Sequence, residues 1–271
     1  MSEVSEDTVY REKQLRLERC KAIIADYTQK KDLVSVVVLS CKRPNELLRL
    51  LYSMSDWLKK ERQWMETWFV DNGSNFSPTL QGTIYKKFDC TIWHPSNVGM
   101  GPAINDVLSK VRGEYVLFIE DDLEMVNDNR LVAPCIQLFR AEPTVGIIKL
   151  KDKKDWEKKP YRRISKPRYV CDDSFPYRLW LPSNPWNIFI GNRPWFAGIH
   201  NCWSLGPVMF RHCAWKENGP LPVAQGRGQA IAAEDIYARS FNSRWVAARF
   251  EHIRPFSQPT TEESPGYKDT V

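Results

Sequence analysis

Residues 115–125 read YVLFIEDDLEM, a stretch that joins a wholly apolar run to a cluster of carboxylates. The apolar residues at 115–119 predict a strand that is buried on both of its faces. Glu120, Asp121 and Asp122 follow at the point where this strand should leave the core. Because burying an unpaired charge is costly, we expect the cluster either to be solvated or to hold a cation.

The rest of the chain alternates between strand-like and helix-like patterns. Further strands are predicted at VSVVVLS (34–40), TWFVDNGS (67–74), CTIWHP (90–95), VGIIKLK (145–151) and WVAARF (245–250). Helices are predicted over 8–31, 44–60, 103–111 and 234–242. This rhythm predicts an α/β fold with a central, mostly parallel sheet flanked by helices. Ligands bind such sheets at the carboxyl ends of strands, so Asp71 and the 120–122 cluster should face one crevice.

The charge of the chain is unevenly distributed. The net charge is +6 over 271 residues, but residues 149–168 (KLKDKKDWEKKPYRRISKPR) contain ten basic and three acidic side chains. This segment is either an ordinary solvated surface or a flap over an anionic donor, acceptor or nucleic acid. Seven of the eleven tryptophans lie beyond residue 150, which indicates a loop-rich second half with flat rings available for contacts.

The cysteines and the apolar runs indicate a cellular compartment. The seven cysteines are scattered and form no CxxC pair, which favours reduced thiols over a disulfide framework or a thiolate metal site. No apolar run approaches the length of a membrane span, and the N-terminal residues are charged rather than apolar. We therefore expect a cytoplasmic protein without a transmembrane anchor.

Four motifs occur in a characteristic order: VSVVVLSCKRP (34–44), FVDNGS (69–74), SNVGMGPAIN (96–105) and GEYVLFIEDD (113–122). Together they resemble the nucleotide-sugar-binding half of family 2 glycosyltransferases of the GT-A fold. The resemblance implies a single GT-A domain in three parts. These are an N-terminal amphipathic helix (1–32), a nucleotide-sugar-binding subdomain (33–150) and a loop-rich subdomain for the acceptor and catalysis (151–271).

The resemblance gives the acidic cluster a role in holding a metal ion. Such enzymes use a divalent cation, Mn²⁺ or Mg²⁺, to neutralise the diphosphate that leaves the sugar. The cluster takes the place of the family's DXD-type motif, with Asp122 as the metal ligand and Glu120 or Asp121 meeting the ribose or ligating through water. His252 resembles a late histidine that some GT-A enzymes add as a ligand. The alternatives are a solvated acidic turn and an ordinary surface or core histidine.

The resemblance also places residues around the donor nucleotide. Asp71 would accept a hydrogen bond from the imide N–H of uracil or thymine, although the same residue could form only an Asx turn before Gly73. The other donor-binding candidates are Ser40, Lys42, Arg43, Asn97 and Gly99. Gly99-Met100-Gly101 alone would suggest a dinucleotide site, but it follows the third strand and lacks the full glycine spacing.

The catalytic step is assigned to AAEDIYARS (232–240), which resembles the family's ED motif. Asp235 takes the position of the base that deprotonates the acceptor hydroxyl in an inverting transfer, with Glu234 beside it. Both acids could instead only cap the start of a helix. Arg239 could pair with Asp235 or face a phosphate, and Trp195 and His200 take positions where family members build the acceptor site.

The resulting hypothesis is a metal-dependent, inverting glycosyltransferase that uses a UDP- or dTDP-sugar. The acceptor stays open among a glycan or lipid-linked intermediate, a protein, and a hydroxylated base in DNA, which the basic, aromatic-rich second half would suit. One alternative is a sugar nucleotidyltransferase, although SCKRPNELL (40–48) lacks the glycine-rich basic loop of that class. The other is a non-catalytic module that binds a nucleotide sugar or nucleic acid. The oligomeric state is left open.

Overall fold

The computed structural model describes most of the first half of the chain and selected parts of the second. The described segments are residues 29–127, 131–150, 168–170, 175–180, 206–223, 244–250 and 255–259, with single positions within 11–25, 237–241 and 252–253. The described positions within 11–25 are helical, and Ile24 there packs against the core.

A nine-stranded sheet forms the centre of the molecule. Its strands are β1 (Lys30–Ser40), β2 (Met65–Asn72), β3 (Cys90–His94), β4 (Gly113–Glu120), β6 (Val145–Lys149), β7 (Arg168–Val170), β8 (Phe175–Trp180), β9 (Val208–Arg211) and β10 (Val246–Phe250). The spatial order is β3-β2-β1-β4-β9-β6-β10-β8-β7. Only β8 and β9 run against the other strands of this sheet. The predicted mostly parallel α/β sheet is thereby confirmed.

A second, two-stranded sheet pairs β5 (Glu124–Met125) with β11 (Phe256–Ser257) in antiparallel register. Phe256 is fully buried, and the backbone N–H of Val126 donates to the carbonyl of Pro255 at 2.8 Å. This small sheet fixes the chain after β10 against the segment that follows the acidic cluster.

Helices cover both faces of the large sheet. They are α1 (Pro44–Ser53), α2 (Ser55–Lys60), α3 (Pro78–Lys87), α4 (Met100–Leu108), α5 (Val132–Ala141) and α6 (His212–Asn218), with a 3₁₀ turn at Arg62–Trp64. Side chains of β1 alternate between the two layers, since Val36 and Val38 pack with α1, α3 and α5 while Val37 packs with α4 and α6. Among the described helices, none is long and apolar enough to cross a membrane.

The helix predicted over 44–60 is divided into α1 and α2 at Met54. Ser53 Oγ donates to the carbonyl of Leu50 at 2.9 Å and accepts the backbone N–H of Met125 at 3.0 Å. Such a bond from a serine to the preceding turn bends a helix, and here it also ties the bend to β5.

Several element boundaries differ from the predicted ones for local reasons. The second strand begins at Met65 rather than at residue 67, and it ends, as predicted, in a turn, where Gly73 takes a φ of 79°. The helix predicted from 103 begins at Met100, directly after Gly99 with a φ of 91°. Three helices, α3, α5 and α6, and the strands β5, β7, β8, β9 and β11 were not predicted. For α3 the signal was weak because only Leu80 and Ile84 of that helix are buried.

Candidate functional site

The carboxyl ends of β1, β2 and β4 meet at one edge of the sheet. Ser40 at the end of β1 pairs in register with Asp71 of β2, and its neighbour Leu39 pairs with Glu120 at the end of β4. Glu120 is half-buried there. The sheet therefore brings the predicted donor-binding residues of three separate motifs together.

Asp121 lies buried directly behind this edge. Its Oδ2 accepts the Ser40 hydroxyl at 2.7 Å and the backbone N–H of Cys41 at 3.1 Å, and its Oδ1 accepts Arg43 Nη1 at 3.2 Å. Burial raises the pKa of Asp121 to about 6, with a contribution from the negative charge of Asp122, although all three donors act in the opposite direction. The ionised form of Asp121 is therefore under-stabilised by the protein's own groups.

Asp122 is more open, and one of its oxygens faces both an ion-pair partner and a hydrogen-bond donor. Arg43 Nη1 lies 3.5 Å from Asp122 Oδ2, and Gln258 Nε2 donates to the same oxygen at 2.8 Å. Gln258 reaches this position because it directly follows β11, which the β5 pairing holds in place. Sequence reasoning did not find Gln258, and no local motif marks it.

Three residues at the ends of β1, β2 and the loop after β3 form a closed hydrogen-bonded set, here called the strand-end ring. Cys41 Sγ donates to the carbonyl of Asn72 at 3.2 Å, Asn72 Nδ2 donates to Asn97 Oδ1 at 3.0 Å, and Asn97 Nδ2 contacts Cys41 Sγ at 3.7 Å. Burial, followed by the charge of Asp121, raises the pKa of the Cys41 thiol, so the sulfur keeps the proton that it donates. The ring ties three loops of the site together.

Asp71 makes the Asx turn that its sequence allowed. Both of its carboxylate oxygens accept the backbone N–H of Ser74, at 3.2 and 3.0 Å, and the side chain is buried. Ser74 Oγ in turn accepts the backbone N–H of Lys42 at 2.7 Å. At Gly73 an added Cβ would lie 2.4 Å from the backbone N of Asn97, so the two loops pack with no room for a side chain.

The first turn of α4 is held from two sides. The N–H of Gly99 donates to Asn97 Oδ1 at 2.8 Å, which joins the turn to the strand-end ring. From the other side, Asn105 exchanges two 2.8 Å hydrogen bonds with the backbone of Leu221. A Cβ on Gly101 would lie 2.6 Å from the carbonyl of Pro222, so segment 221–223 packs closely on α4. Asn72 and Asn105 are site-building residues that sequence reasoning missed.

The adjacent carboxylates fit a divalent cation of the Mg²⁺ or Mn²⁺ type. Arg43 already places one positive charge between Asp121 and Asp122. Within the part of the chain that the structure describes, no group of three or more His, Cys, Asp or Glu side chains is arranged to hold a metal. A cation of this type does not need one, because one or two carboxylates, water and substrate phosphates complete its coordination.

Of the remaining predicted site residues, the structure describes only His252, which is not brought into this cluster. His252 is exposed, two residues beyond the end of β10, and belongs to no such metal-binding group. Glu234, Asp235, Arg239, Trp195 and His200 lie outside the described residues. The nearby positions Tyr237 and Ala238 are helical and buried in the core beside α4 and α6.

Comparisons with known proteins agree with this architecture. The profile of the family described as glycosyl transferase family 2 matches residues 35–216. No curated protein sequence matches the chain. Among solved structures, S. aureus TarS 1–349 in complex with UDP-GlcNAc matches with a TM-score of 0.56 and 18% identity, over 88% of this chain and 62% of that one.

A second solved structure resembles the chain to a similar degree. The mannosyltransferase PcManGT from Pyrobaculum calidifontis, in complex with GDP-Man and Mn²⁺, gives a TM-score of 0.52 at 15% identity, over 88% of this chain and 62% of that one. The chain thus spans less than two thirds of the length of either protein. At these identities the likeness shows the shared fold alone.

Proposed function

The chain belongs to glycosyl transferase family 2, and from this premise we propose that it transfers a sugar from a nucleotide-diphospho sugar to an acceptor hydroxyl. We further propose that the transfer uses Mn²⁺ or Mg²⁺ and inverts the anomeric configuration. In this proposal residues 33–150 bind the donor, while residues 151–271 bind the acceptor and supply the base.

The observation that carries the proposal is the Asp121–Asp122 pair at the carboxyl end of β4. Asp122, with an oxygen held by Gln258 at 2.8 Å, would ligate the cation, and Asp121 would support it from the buried side. When bound, the cation would neutralise the charge that develops on the leaving diphosphate. Glu120 and Ser40 border the same strand end, where the ribose or a phosphate would lie.

The donor is proposed to be a UDP- or dTDP-sugar on the basis of Asp71. This buried carboxylate lies near the end of β2, beside Ser40. It can accept a hydrogen bond from the imide N–H of uracil or thymine. Guanine also carries a ring N–H donor, and the two matched structures contain UDP-GlcNAc in one and GDP-Man in the other. The binding test therefore includes GDP.

The base is proposed to be Asp235, with Glu234 beside it. Tyr237 and Ala238 are helical and buried, which agrees with acids that open a helix packed near α4. At such a position the helix dipole would stabilise a carboxylate. Trp195, His200 and Arg239 are proposed to line the acceptor.

The acceptor is proposed to be a glycan or a hydroxylated base in DNA. Of these two acceptors, DNA is anionic. Strand β6 runs in the same direction as β4, so the basic segment 149–168 begins, at Lys149, at the edge of the sheet that carries Asp121 and Asp122. Basic side chains near that edge would attract a phosphate-bearing donor or acceptor. DNA binding at low salt, lost at high salt, would support the second acceptor class.

Calorimetric titration tests the donor and metal assignment. UDP should bind in the presence of Mn²⁺ and lose at least about 100-fold in affinity with EDTA or in Asp122→Ala, because the diphosphate charge is then unneutralised. Asp56→Asn, which removes an exposed carboxylate of α2, serves as the matched control and should bind like the wild type. Metal-independent UDP binding that survives Asp122→Ala would contradict the proposal. Tighter binding of GDP than of UDP would assign guanine, in place of uracil, as the nucleobase of the donor.

Donor hydrolysis and product analysis test the catalytic assignment. Asp235→Asn should bind UDP with Mn²⁺ like the wild type but lose turnover, because the base no longer accepts a proton. An NMR determination of the anomeric configuration in the first product distinguishes inversion from retention. Full turnover by Asp235→Asn would assign the base to another residue.

A further inference from the structure

Arg43 occupies an unusual position between the two carboxylates of the site. Its Nη1 lies 3.2 Å from Asp121 Oδ1 and 3.5 Å from Asp122 Oδ2, so one nitrogen bridges two side chains. About a quarter of the Arg43 side chain is exposed. The guanidinium thus stands where a cation shared by Asp121 and Asp122 would have to approach.

Two adjacent carboxylates at a buried strand end repel one another unless a positive charge lies between them. Arg43 supplies that charge in the protein without a metal. A divalent cation at the same pair would carry twice the charge and would repel the guanidinium at contact distance. Arg43 and the cation therefore compete for the same carboxylate oxygens.

The two groups that face Asp122 Oδ2 differ in whether they are compatible with a bound cation. Gln258 is neutral, and its hydrogen bond to Oδ2 can orient a carboxylate that also binds a metal. Arg43 is charged, and its main chain is fixed by the bond from the N–H of Leu47 to its carbonyl at 3.0 Å. Its long side chain can rotate without disturbing the start of α1, to which it adds no side-chain cap.

We propose that Arg43 is a placeholder for the cation: it holds the Asp121–Asp122 pair in the metal-free protein and is displaced when a divalent cation binds. The released guanidinium then faces the diphosphate of the donor, for which its planar set of N–H groups is suited. Arg43 is a positioning residue in the first state and a donor-binding residue in the second. This inference rests on the proposed metal-dependent function of the same site.

The exchange predicts opposite effects of one substitution on two affinities. Arg43→Gln should raise the affinity for Mn²⁺ without nucleotide by about tenfold, because the competing charge is gone. The same variant should lower the affinity for UDP at saturating Mn²⁺ by about tenfold, because a diphosphate contact is lost. It should also lower the melting temperature without metal, and Mn²⁺ should restore it. Arg43→Lys should lie between the wild type and Arg43→Gln.

The matched control is Arg49→Gln, which removes a cation from α1, the helix that Arg43 immediately precedes. It should leave the Mn²⁺ and UDP affinities at wild-type values, which separates the contact of Arg43 from a general change in surface charge. Mn²⁺ binding is measured by calorimetry or electron paramagnetic resonance, so that the readout does not depend on turnover.

Two other outcomes would overturn the placeholder role of Arg43, and they differ in what they mean for the proposed function. If Arg43→Gln binds Mn²⁺ more weakly or equally while wild-type UDP binding still requires Mn²⁺, the placeholder role is wrong and the proposed function stands. If the wild type binds UDP without any metal and Arg43→Gln abolishes that binding, Arg43 replaces the cation permanently. That result overturns both the exchange and the metal-dependent function.

Discussion

Strand β1 carries two serines that each donate to a buried carboxylate, one in the middle of the strand and one at its carboxyl end. In the middle, beside the amino end of β2, Ser35 Oγ donates to Glu66 Oε1 at 2.6 Å, and we call this the amino-end site. At the carboxyl end, Ser40 Oγ donates to Asp121 Oδ2 at 2.7 Å. In both pairs the same carboxylate oxygen also accepts a backbone N–H and the other oxygen faces an arginine. The two sites are thus built from equivalent groups.

The two carboxylates nevertheless differ in their ionisation. Burial acts to raise the pKa of Glu66, but the N–H of Arg112, Ser35 and the Arg112 side chain together lower it. Burial raises the pKa of Asp121 to about 6 despite similar donors, and the neighbouring Asp122 adds to the shift. The amino-end site is complete within the protein, whereas the carboxyl-end site has an excess of negative charge. This difference distinguishes a structural carboxylate from one suited to a cation.

The largest effect on stability is expected at the amino-end site. Glu66→Gln should lower the free energy of unfolding by about 2 to 3 kcal/mol, because the hydrogen bonds that the buried carboxylate accepts from Ser35 and from the N–H of Arg112 are no longer charge-assisted. Since Glu66 lies near the amino end of β2, away from the strand ends that form the proposed donor site, UDP affinity should stay unchanged. Urea unfolding and calorimetry measure the two quantities. A loss of UDP affinity in this variant would show that the two sites are coupled.

At the carboxyl-end site we expect the reverse pattern. Asp121→Asn should lower the affinity for UDP with Mn²⁺ by on the order of 100-fold, because the support of the cation is lost. Its melting temperature at neutral pH should equal or exceed that of the wild type, because an under-stabilised charge is removed. The same two measurements serve here. A strongly destabilised Asp121→Asn variant would remove the distinction between the two carboxylates.

The pH dependence of stability should differ in sign between the two sites. Asp121 has a higher pKa when folded, so its contribution is most favourable below its unfolded value of 3.8 and is lost as the pH rises towards 6. The unfolding free energy of the wild type relative to Asp121→Asn should therefore fall by about 2 to 3 kcal/mol across this window, with EDTA present. Glu66 has a lower pKa when folded, so its contribution is present above its unfolded value and is lost as the pH falls.

Denaturation series at several pH values for the two carboxylate variants check these slopes. The difference between the wild type and Glu66→Gln should grow with rising pH, and the difference between the wild type and Asp121→Asn should shrink. Parallel slopes would mean that both carboxylates are stabilised alike.

The smallest effects are expected from the two serines. Ser35→Ala should lower the free energy of unfolding by about 1 to 2 kcal/mol, because Glu66 loses a donor and the N–H of Gly113 loses its 2.9 Å acceptor. Ser40→Ala should alter stability less. It should weaken UDP binding with Mn²⁺ by about threefold to tenfold, because Asp121 becomes harder to ionise. Equal losses of stability in the two variants would contradict the comparison.

The sequence allowed the position of the site to be predicted because the relevant signals are local. An apolar run predicts a buried strand, and the carboxyl ends of parallel strands meet at one edge, so Asp71 and Asp121 could be expected near each other. The glycine-marked boundaries at Gly73 and Gly99 are local in the same sense. The turn at Gly73 was predicted, whereas the helix that follows Gly99, with its φ of 91°, begins at Met100 and not at the predicted residue 103.

Contacts between distant parts of the chain could not be predicted in this way. Gln258 donates to Asp122 across 136 positions, and Asn105 binds Leu221 across 116. The bridging by Arg43 depends on how one side chain turns at the start of α1, which no periodicity encodes. Strand β9 has only four residues, too few to show an alternation.

The position of β9 between β4 and β6 has a consequence for the order in which the chain can fold. Strand β6 ends at residue 149, but the strand that joins it to β4 begins only at residue 208. During synthesis on the ribosome, β1 to β4 can therefore form before β9 has been made, and the edge of β4 that pairs with β9 is then unpaired. An unpaired strand edge can associate with other chains, so this interval is the one in which aggregation is most to be expected.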